Sequence, residues 1–272
     1  MKEFPCAKIN LGLYVTERRS DGYHNLETVF LPIPLCDELS IEEAQDDEFQ
    51  LGGIPLEGDA TDNLVIRALK LLRDEGHSVP PLCIRLVKNI PSGAGLGGGS
   101  SDATATLVTV NQMFHLGLSD TQLERLAARL GADCPFFVYS QPVLATGIGD
   151  IFHAIPDPLP ESLHLLLVKP DEGVSTREAY QGIKPKKPQY DLRWALQQPI
   201  GEWQNIIAND FEQSVFPLHP VIRDIKEMLL AEGAVYAAMS GSGSAVFGLF
   251  QDQPRAETLD RFEGHFVFSA QL

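Results

Sequence analysis

The chain has 272 residues, 44% hydrophobic and 21% charged, a globular composition far from that of a disordered protein. Its 21 basic residues against 37 acidic ones give a formal charge of −16, which disfavours nonspecific binding to nucleic acid or anionic membrane. Any phosphate site must therefore be a local exception.

A length prior of roughly 100 to 200 residues per domain favours two domains. Lys8 and Asn10 interrupt the N-terminus where a secretory leader would need unbroken apolar residues, and the apolar run near Leu163–Val168 is far too short to span a membrane. A cytoplasmic protein is expected. The four cysteines, Cys6, Cys36, Cys83 and Cys134, lie too far apart for a CxxC pair and argue against zinc.

Ala7, Ile9, Leu11, Leu13 and Val15 alternate with Lys8, Asn10, Gly12 and Tyr14, the period-two pattern of a half-buried strand with Lys8 and Asn10 on one face. Further strands are expected at 27–32, 38–42 and 82–89, with a helix over 63–75 ending at Gly76. The acidic run 42–48 reads as a solvated loop. Ala103, Leu107, Val110, Phe114 and Leu118 then recur at helical spacing, a second helix covers 120–130, and Ala132-Asp133-Cys134-Pro135 begins a third with proline just inside it.

Three prolines between Ile155 and Pro160 mark a linker, which divides the chain into 1–156 and 157–272. Beyond it a strand at 163–169, helices at 176–181 and 221–232, strands at 235–239 and 245–250, a helix at 257–262 and a strand at 265–270 follow the order of the split βαβ, ferredoxin-like motif. The segment 182–191 reads as an exposed loop, and Trp194, Trp203, Phe136 and Phe137 as packing residues.

The segment Pro91-Ser92-Gly93-Ala94-Gly95-Leu96-Gly97-Gly98-Gly99-Ser100-Ser101-Asp102 places five glycines just before a helix. The G-x-x-x-x-G-K-[ST] phosphate loop fails, because Gly99 stands where its lysine is required. Gly93-x-Gly95-x-x-Gly98 has the letters of a dinucleotide fingerprint, but the acid expected about 20 residues later on a second strand is missing. What survives is general: free N–H groups at the positive end of a helix, approached closely because glycines carry no side chain, bind phosphate. Ser100 and Ser101 add hydroxyl donors, and Asp102 is placed to cap the helix.

This segment closely resembles the central P-x-x-x-G-L-G-S-S motif of the GHMP kinases. Two further motifs of that family follow the same order, Pro5-Cys6-Ala7-Lys8-Ile9-Asn10-Leu11 near the start and Ser240-Gly241-Ser242-Gly243-Ser244-Ala245 near the end. The resemblance implies a two-domain α+β fold with a ferredoxin-like C-terminal domain, and an ATP-dependent kinase with magnesium accompanying ATP. It implies Lys8 and Asp133 as the catalytic pair. Pro91, Gly93, Gly95, Leu96, Gly97, Gly98, Gly99, Ser100 and Ser101 would wrap the ATP phosphates. Together with Asp21-Gly22-Tyr23-His24, the resemblance implies a cytidine diphosphate-linked polyol as substrate, held by Asn10, Tyr23, His24 and Tyr180. No metal ligand is assigned.

Several of these residues carry a plainer reading. Asp133 could be only a helix cap, Lys8 an edge-strand charge that deters aggregation, His24 a surface histidine, and Ser240–Ser244 an ordinary hairpin connection. Rival functions are a family member acting on homoserine or mevalonate, a ligand-binding protein without catalysis, and a dinucleotide-dependent oxidoreductase.

Overall fold

The computed structural model describes residues 1–56, 62–160 and 162–272. In chain order the elements are β1 (Lys2–Glu3), β2 (Cys6–Arg18), β3 (His24–Cys36), β4 (Glu38–Glu43), β5 (Glu48–Gly53), α1 (Leu64–Asp74), β6 (Leu82–Lys88), α2 (Gly98–Met113) and α3 (Asp120–Ala128). A 3-10 helix (Cys134–Val138), β7 (Val143–Thr146), β8 (Ile151–Ala154), β9 (His164–Lys169), α4 (Thr176–Tyr180), α5 (Leu192–Leu196), α6 (Ile200–Ile206) and α7 (Glu212–Val215) follow. The chain closes with α8 (Pro220–Ala231), β10 (Tyr236–Met239), β11 (Val246–Phe250), α9 (Ala256–Asp260) and β12 (Phe266–Gln271).

Two compact units emerge. One comprises Met1–Lys8, Leu35–Ser92 and Gly97–Gln141, and the other Ile9–Pro34, Gly93–Leu96 and Pro142–Leu272. A boundary at 156/157 falls inside the second unit, which takes in most of β2 and β3 with β7 and β8. Composition marks a proline-rich connection, but a strand that returns to pair with earlier strands leaves no compositional trace.

In the first unit a sheet of order β1-β4-β6-β5 carries Leu39, Ile41, Leu82, Ile84 and Leu86 on its buried face. Val65, Ala68 and Leu72 of α1, Ala103, Leu107 and Val110 of α2, and Leu123 and Leu126 of α3 close the core over that face. The helices are bounded as their sequences require: the Asn63 side chain accepts from the Val65 N–H, Gly76 sits at φ +86° just past α1, and Ser119 with Gln122 forms a capping box on α3. The strand β5 begins at Glu48, the last residue of the acidic run, and pairs in parallel with β6. Its alternation is too weak to announce a strand, because Glu48, Gln50, Leu51, Gly52 and Gly53 are all exposed.

In the second unit one sheet runs β2-β3-β7-β8 and another runs β10-β11-β9-β12. In the latter β11 pairs antiparallel with both β9 and β10, so β9 and β10 are parallel strands split by β11, and β12 flanks β9 on the other side. That is the split βαβ arrangement the element order suggested. Its core joins Leu166, Val168, Val246 and Phe250 to Ile222, Ile225 and Leu229 of α8.

The strand β2 differs from expectation. Every residue from Ala7 to Val15 is buried, so neither face is solvated. In the second unit its outer edge is covered by backbone bonds, Leu13 N–H to Ala208 O at 2.9 Å and Asp210 N–H to Leu13 O at 2.8 Å. Two polar side chains on such a strand require partners, and both have them.

Candidate active site

Lys8 leaves only 4% of its side chain exposed, and its Nζ lies 3.6 Å from Asp133 Oδ2. Burial lowers the Lys8 pKa, and the Asp133 charge opposes that shift. At 3.6 Å the pair is a charge contact, longer than a normal hydrogen bond. A lysine that deters edge pairing would point into water, so the gatekeeper reading of Lys8 fails.

Asp133 occupies the N-cap position of the 3-10 helix, yet its side chain makes no capping hydrogen bond. Its carboxylate is 37% exposed. Pro135 starts that helix without needing a donor, which leaves the carboxylate uncommitted to local structure. A half-exposed carboxylate beside a buried ammonium can accept a proton or orient a hydroxyl.

Helix α2 begins at Gly98, so Gly98 and Gly99 form its first turn with Ser100 and Ser101. Gly97 is its N-cap at φ 72° and ψ 12°, a left-handed conformation that brings no side chain to the helix end. The first N–H groups of a helix have no intrahelical acceptor; here the Ser101 N–H already reaches Gly97 O at 2.9 Å. The amides of Gly98, Gly99 and Ser100 therefore present donors at the positive end of a 16-residue helix. A Cβ on Gly97 would fall 2.8 Å from Phe137 Cζ and 3.3 Å from Lys8 Cγ, so this turn lies against the lysine stem. Phe137 is thereby a packing residue of the loop, set edge to face on Phe136 at 4.8 Å.

Pro91 and Leu96 are buried, whereas Gly93 is exposed. Leu96, 1% exposed, has only its backbone to offer a ligand. Asp102 does not cap α2. It lies 2% exposed in the second turn, where its Oδ2 accepts from Lys88 Nζ at 2.5 Å, and burial raises its pKa to about 7 against the pull of Lys88. The cap position belongs to Gly97 because the left-handed turn places it there.

In the second unit, Asn10 Nδ2 donates to Thr28 Oγ1 at 2.9 Å, and Thr28 Oγ1 donates to Gly12 O at 2.5 Å. Ser240 Oγ donates to Gly95 O at 3.0 Å, and Ala245 N–H to Ala94 O at 3.2 Å, which seats the 240–245 connection on residues 94–95. A Cβ on Gly95 would overlap the Ser240 carbonyl. His24 stacks on Tyr180 at 4.9 Å with 24° between the rings, and Phe211 meets Tyr180 edge-on at 4.8 Å. Tyr23, 63% exposed, has its backbone fixed by Asp21 Oδ1 at 3.1 Å, and its ring does not join that stack.

Sequence reasoning missed Thr28, which anchors Asn10, and Asn209. The latter is 2% exposed, and its Nδ2 donates to Met239 O at 2.7 Å and Gly241 O at 2.8 Å. Neither has a sequence signal, since each acts through backbone atoms or a distant side chain. Trp203 packs as expected at 1% exposure, whereas Trp194 is 45% exposed and stacked on Tyr190.

Two family profiles match the chain: GHMP kinases N terminal domain over residues 63–141 and GHMP kinases C terminal over 192–262. The chain belongs to the GHMP kinase family. It is therefore a small-molecule kinase of the family that the glycine segment and the two flanking motifs suggested, and ATP use follows from that membership. A 4-diphosphocytidyl-2-C-methyl-D-erythritol kinase from Bacteroides fragilis is 50% identical over 276 residues, covering 100% of both chains. The corresponding kinase of Bacteroides thetaiotaomicron is 51% identical with the same coverage. Among solved structures, a 4-(cytidine 5'-diphospho)-2C-methyl-D-erythritol kinase superposes with a TM-score of 0.83 at 31% identity, covering 99% of this chain and 98% of that one.

No helix among the described residues is long and apolar enough to cross a membrane. Among them, no three His, Cys, Asp or Glu side chains converge as a metal site.

Proposed function

We propose that this kinase transfers the γ-phosphoryl group of ATP to a hydroxyl of 4-diphosphocytidyl-2-C-methyl-D-erythritol, a step of non-mevalonate isoprenoid precursor synthesis. The observation that carries the reading is the Lys8–Asp133 pair, a buried ammonium beside a half-exposed carboxylate with no capping duty. The full-length identity to kinases named for this substrate supports the choice of acceptor.

In this mechanism Asp133 accepts the hydroxyl proton or orients the hydroxyl, the alcohol oxygen forms a bond to the γ-phosphorus, and the bond to the β-phosphate bridging oxygen breaks to release ADP. Lys8 offsets negative charge as it builds on the phosphoryl oxygens. Backbone donors of Gly95 to Ser100, with the Ser100 and Ser101 hydroxyls, hold the ATP phosphates, while Pro91 and Gly93 shape the approach. Asn10, Tyr23, His24 and Tyr180 hold the cytidyl substrate. Magnesium bound with ATP would neutralise phosphate charge.

A coupled ADP-release assay with purified protein and a panel of alcohols tests this reading. Turnover is expected with the cytidyl compound and not with homoserine or mevalonate. Turnover of either of those alone would reassign the acceptor, and no turnover with any would remove the kinase reaction.

A further inference from the structure

Lys88, Asp37 and Asp102 form a buried charge cluster in the first unit that phosphoryl transfer does not use. Their side chains are 3%, 0% and 2% exposed. Lys88 Nζ donates to Asp37 Oδ2 and to Asp102 Oδ2. The other oxygen of Asp37, Oδ1, accepts the backbone N–H groups of Asn89 at 2.5 Å and Ile90 at 2.8 Å. Asn89 Nδ2 adds a bond to Cys36 O at 3.0 Å, next to Asp37 in the chain.

Apart from Cys36 and Asp37, these contacts fall at two places in the chain. Lys88 to Ile90 is where β6 runs into the glycine segment, and Asp102 is in the helix that the segment feeds. The two places also touch directly, since a Cβ on Gly98 would lie 2.8 Å from Ile90 Cγ2 and 3.4 Å from Lys88 Nζ. Between them residues 91–97 have no regular structure and include glycines at φ 62°, 76° and 72°. Such a segment has high conformational entropy and keeps one shape only if its ends are fixed.

We propose that Asp37, Lys88 and Asp102 are positioning residues for the nucleotide loop, a single buried bridge that fastens its start at Lys88–Ile90 to its end at Gly98–Asp102. Stability alone would not call for charge here, because a well-packed apolar trio is often as stable as a buried ion cluster or more so. What charge adds is direction: Lys88 fixes the spacing of two carboxylates, and Asp37 fixes two consecutive loop amides. The inference rests on the reading that this loop takes ATP phosphates.

The test compares wild type with Lys88→Met, which keeps the stem and removes the bridge, and Asp102→Asn, which keeps shape and an acceptor. ADP release is measured with ATP and the alcohol varied separately, and backbone amide hydrogen exchange with nucleotide absent. Lys88→Met should raise the KM for ATP at least about tenfold while the KM for the alcohol stays within about twofold. Exchange should quicken at Asn89, Ile90 and Gly98–Ser101. Asp102→Asn should give a smaller effect in the same direction, about threefold in the KM for ATP.

A folded Lys88→Met protein with wild-type ATP KM and exchange overturns the proposal, as does an equal rise in both KM values, which would mark a merely structural cluster. If Lys88→Met fails to fold, Asp102→Asn decides: unchanged ATP KM and exchange overturn it. A wild-type protein that binds no ATP in calorimetry instead sinks the kinase reading, and the exchange comparison still decides whether the bridge orders the loop.

Discussion

The two glycine-rich connections, 93–101 and 240–245, use similar residues for different ends. The second joins the antiparallel strands β10 and β11 and consumes its own backbone groups: Ser240 N–H reaches Ala245 O at 2.8 Å and Gly243 N–H reaches Ser240 O at 3.0 Å. Asn209 takes the carbonyls of Met239 and Gly241. The first leads into a 16-residue helix from a left-handed glycine cap that satisfies none of the helix's leading amides with a side chain. Glycine density is therefore not what makes an anion cradle. The helix that follows is.

The sharpest way to break this contrast is at Asp133, the carboxylate beside the buried Lys8. Asp133→Asn should lower kcat by roughly 10²–10⁴, the range of a positioned acid–base group, with the Tm nearly unchanged because no cap bond is lost. Steady-state kinetics and thermal unfolding on the same preparation check it; a Tm loss that accounts for the lost activity would restore the capping role.

Lys8 supplies a second, pH-resolved test. Burial lowers its pKa, so activity should fall on the alkaline side below the ordinary lysine value of about 10.4. Across that interval the folded protein has released the Lys8 proton while the unfolded chain still holds it. This contribution to stability therefore rises with pH as activity falls. A pH profile in which both decline together from the Lys8 transition would contradict the assignment.

For the second connection, Asn209→Ala strands two buried carbonyls at about 1–3 kcal/mol each, so the expected outcome is a Tm drop of several degrees by thermal unfolding. If the connection is held this way, its loss should appear in stability first and in kcat only near the transition. A large kcat loss far below the Tm would mean that the two connections are less different than their hydrogen bonds say.

Periodicity and turn chemistry made most helices, the core strands and the split βαβ order legible in the sequence, because each rests on local patterns that alternate or cap. The strand β5 was not, since its exposed Glu48, Gln50, Gly52 and Gly53 carry no burial signal. The candidate site was legible at Lys8 and Asp133, whose charged side chains stand out in the sequence, and at the glycine run, whose density is itself the signal. It was not legible where a residue works through contacts distant in sequence. Asp102 reads locally as a cap, and only the approach of Lys88, 14 residues earlier, turns it into part of a buried bridge. Asn209 binds carbonyls about 30 residues away, and nothing in its neighbourhood announces them.

The smallest expected effects lie within the first connection, where Gly93 and Gly97 both hold positive φ, 62° and 72°. An alanine in that conformation costs about 1–2 kcal/mol at either position. A Cβ at Gly93 meets nothing within 4 Å, whereas one at Gly97 meets Phe137 at 2.8 Å and the Lys8 stem at 3.3 Å. Gly93→Ala should thus lose only the strain, seen as a small Tm shift with a nearly unchanged KM for ATP. Gly97→Ala should lose the same strain and also displace the helix start from Lys8, raising the KM for ATP further. Equal kinetic losses at the two glycines would mean that backbone strain governs the loop and that its packing against Lys8 does not.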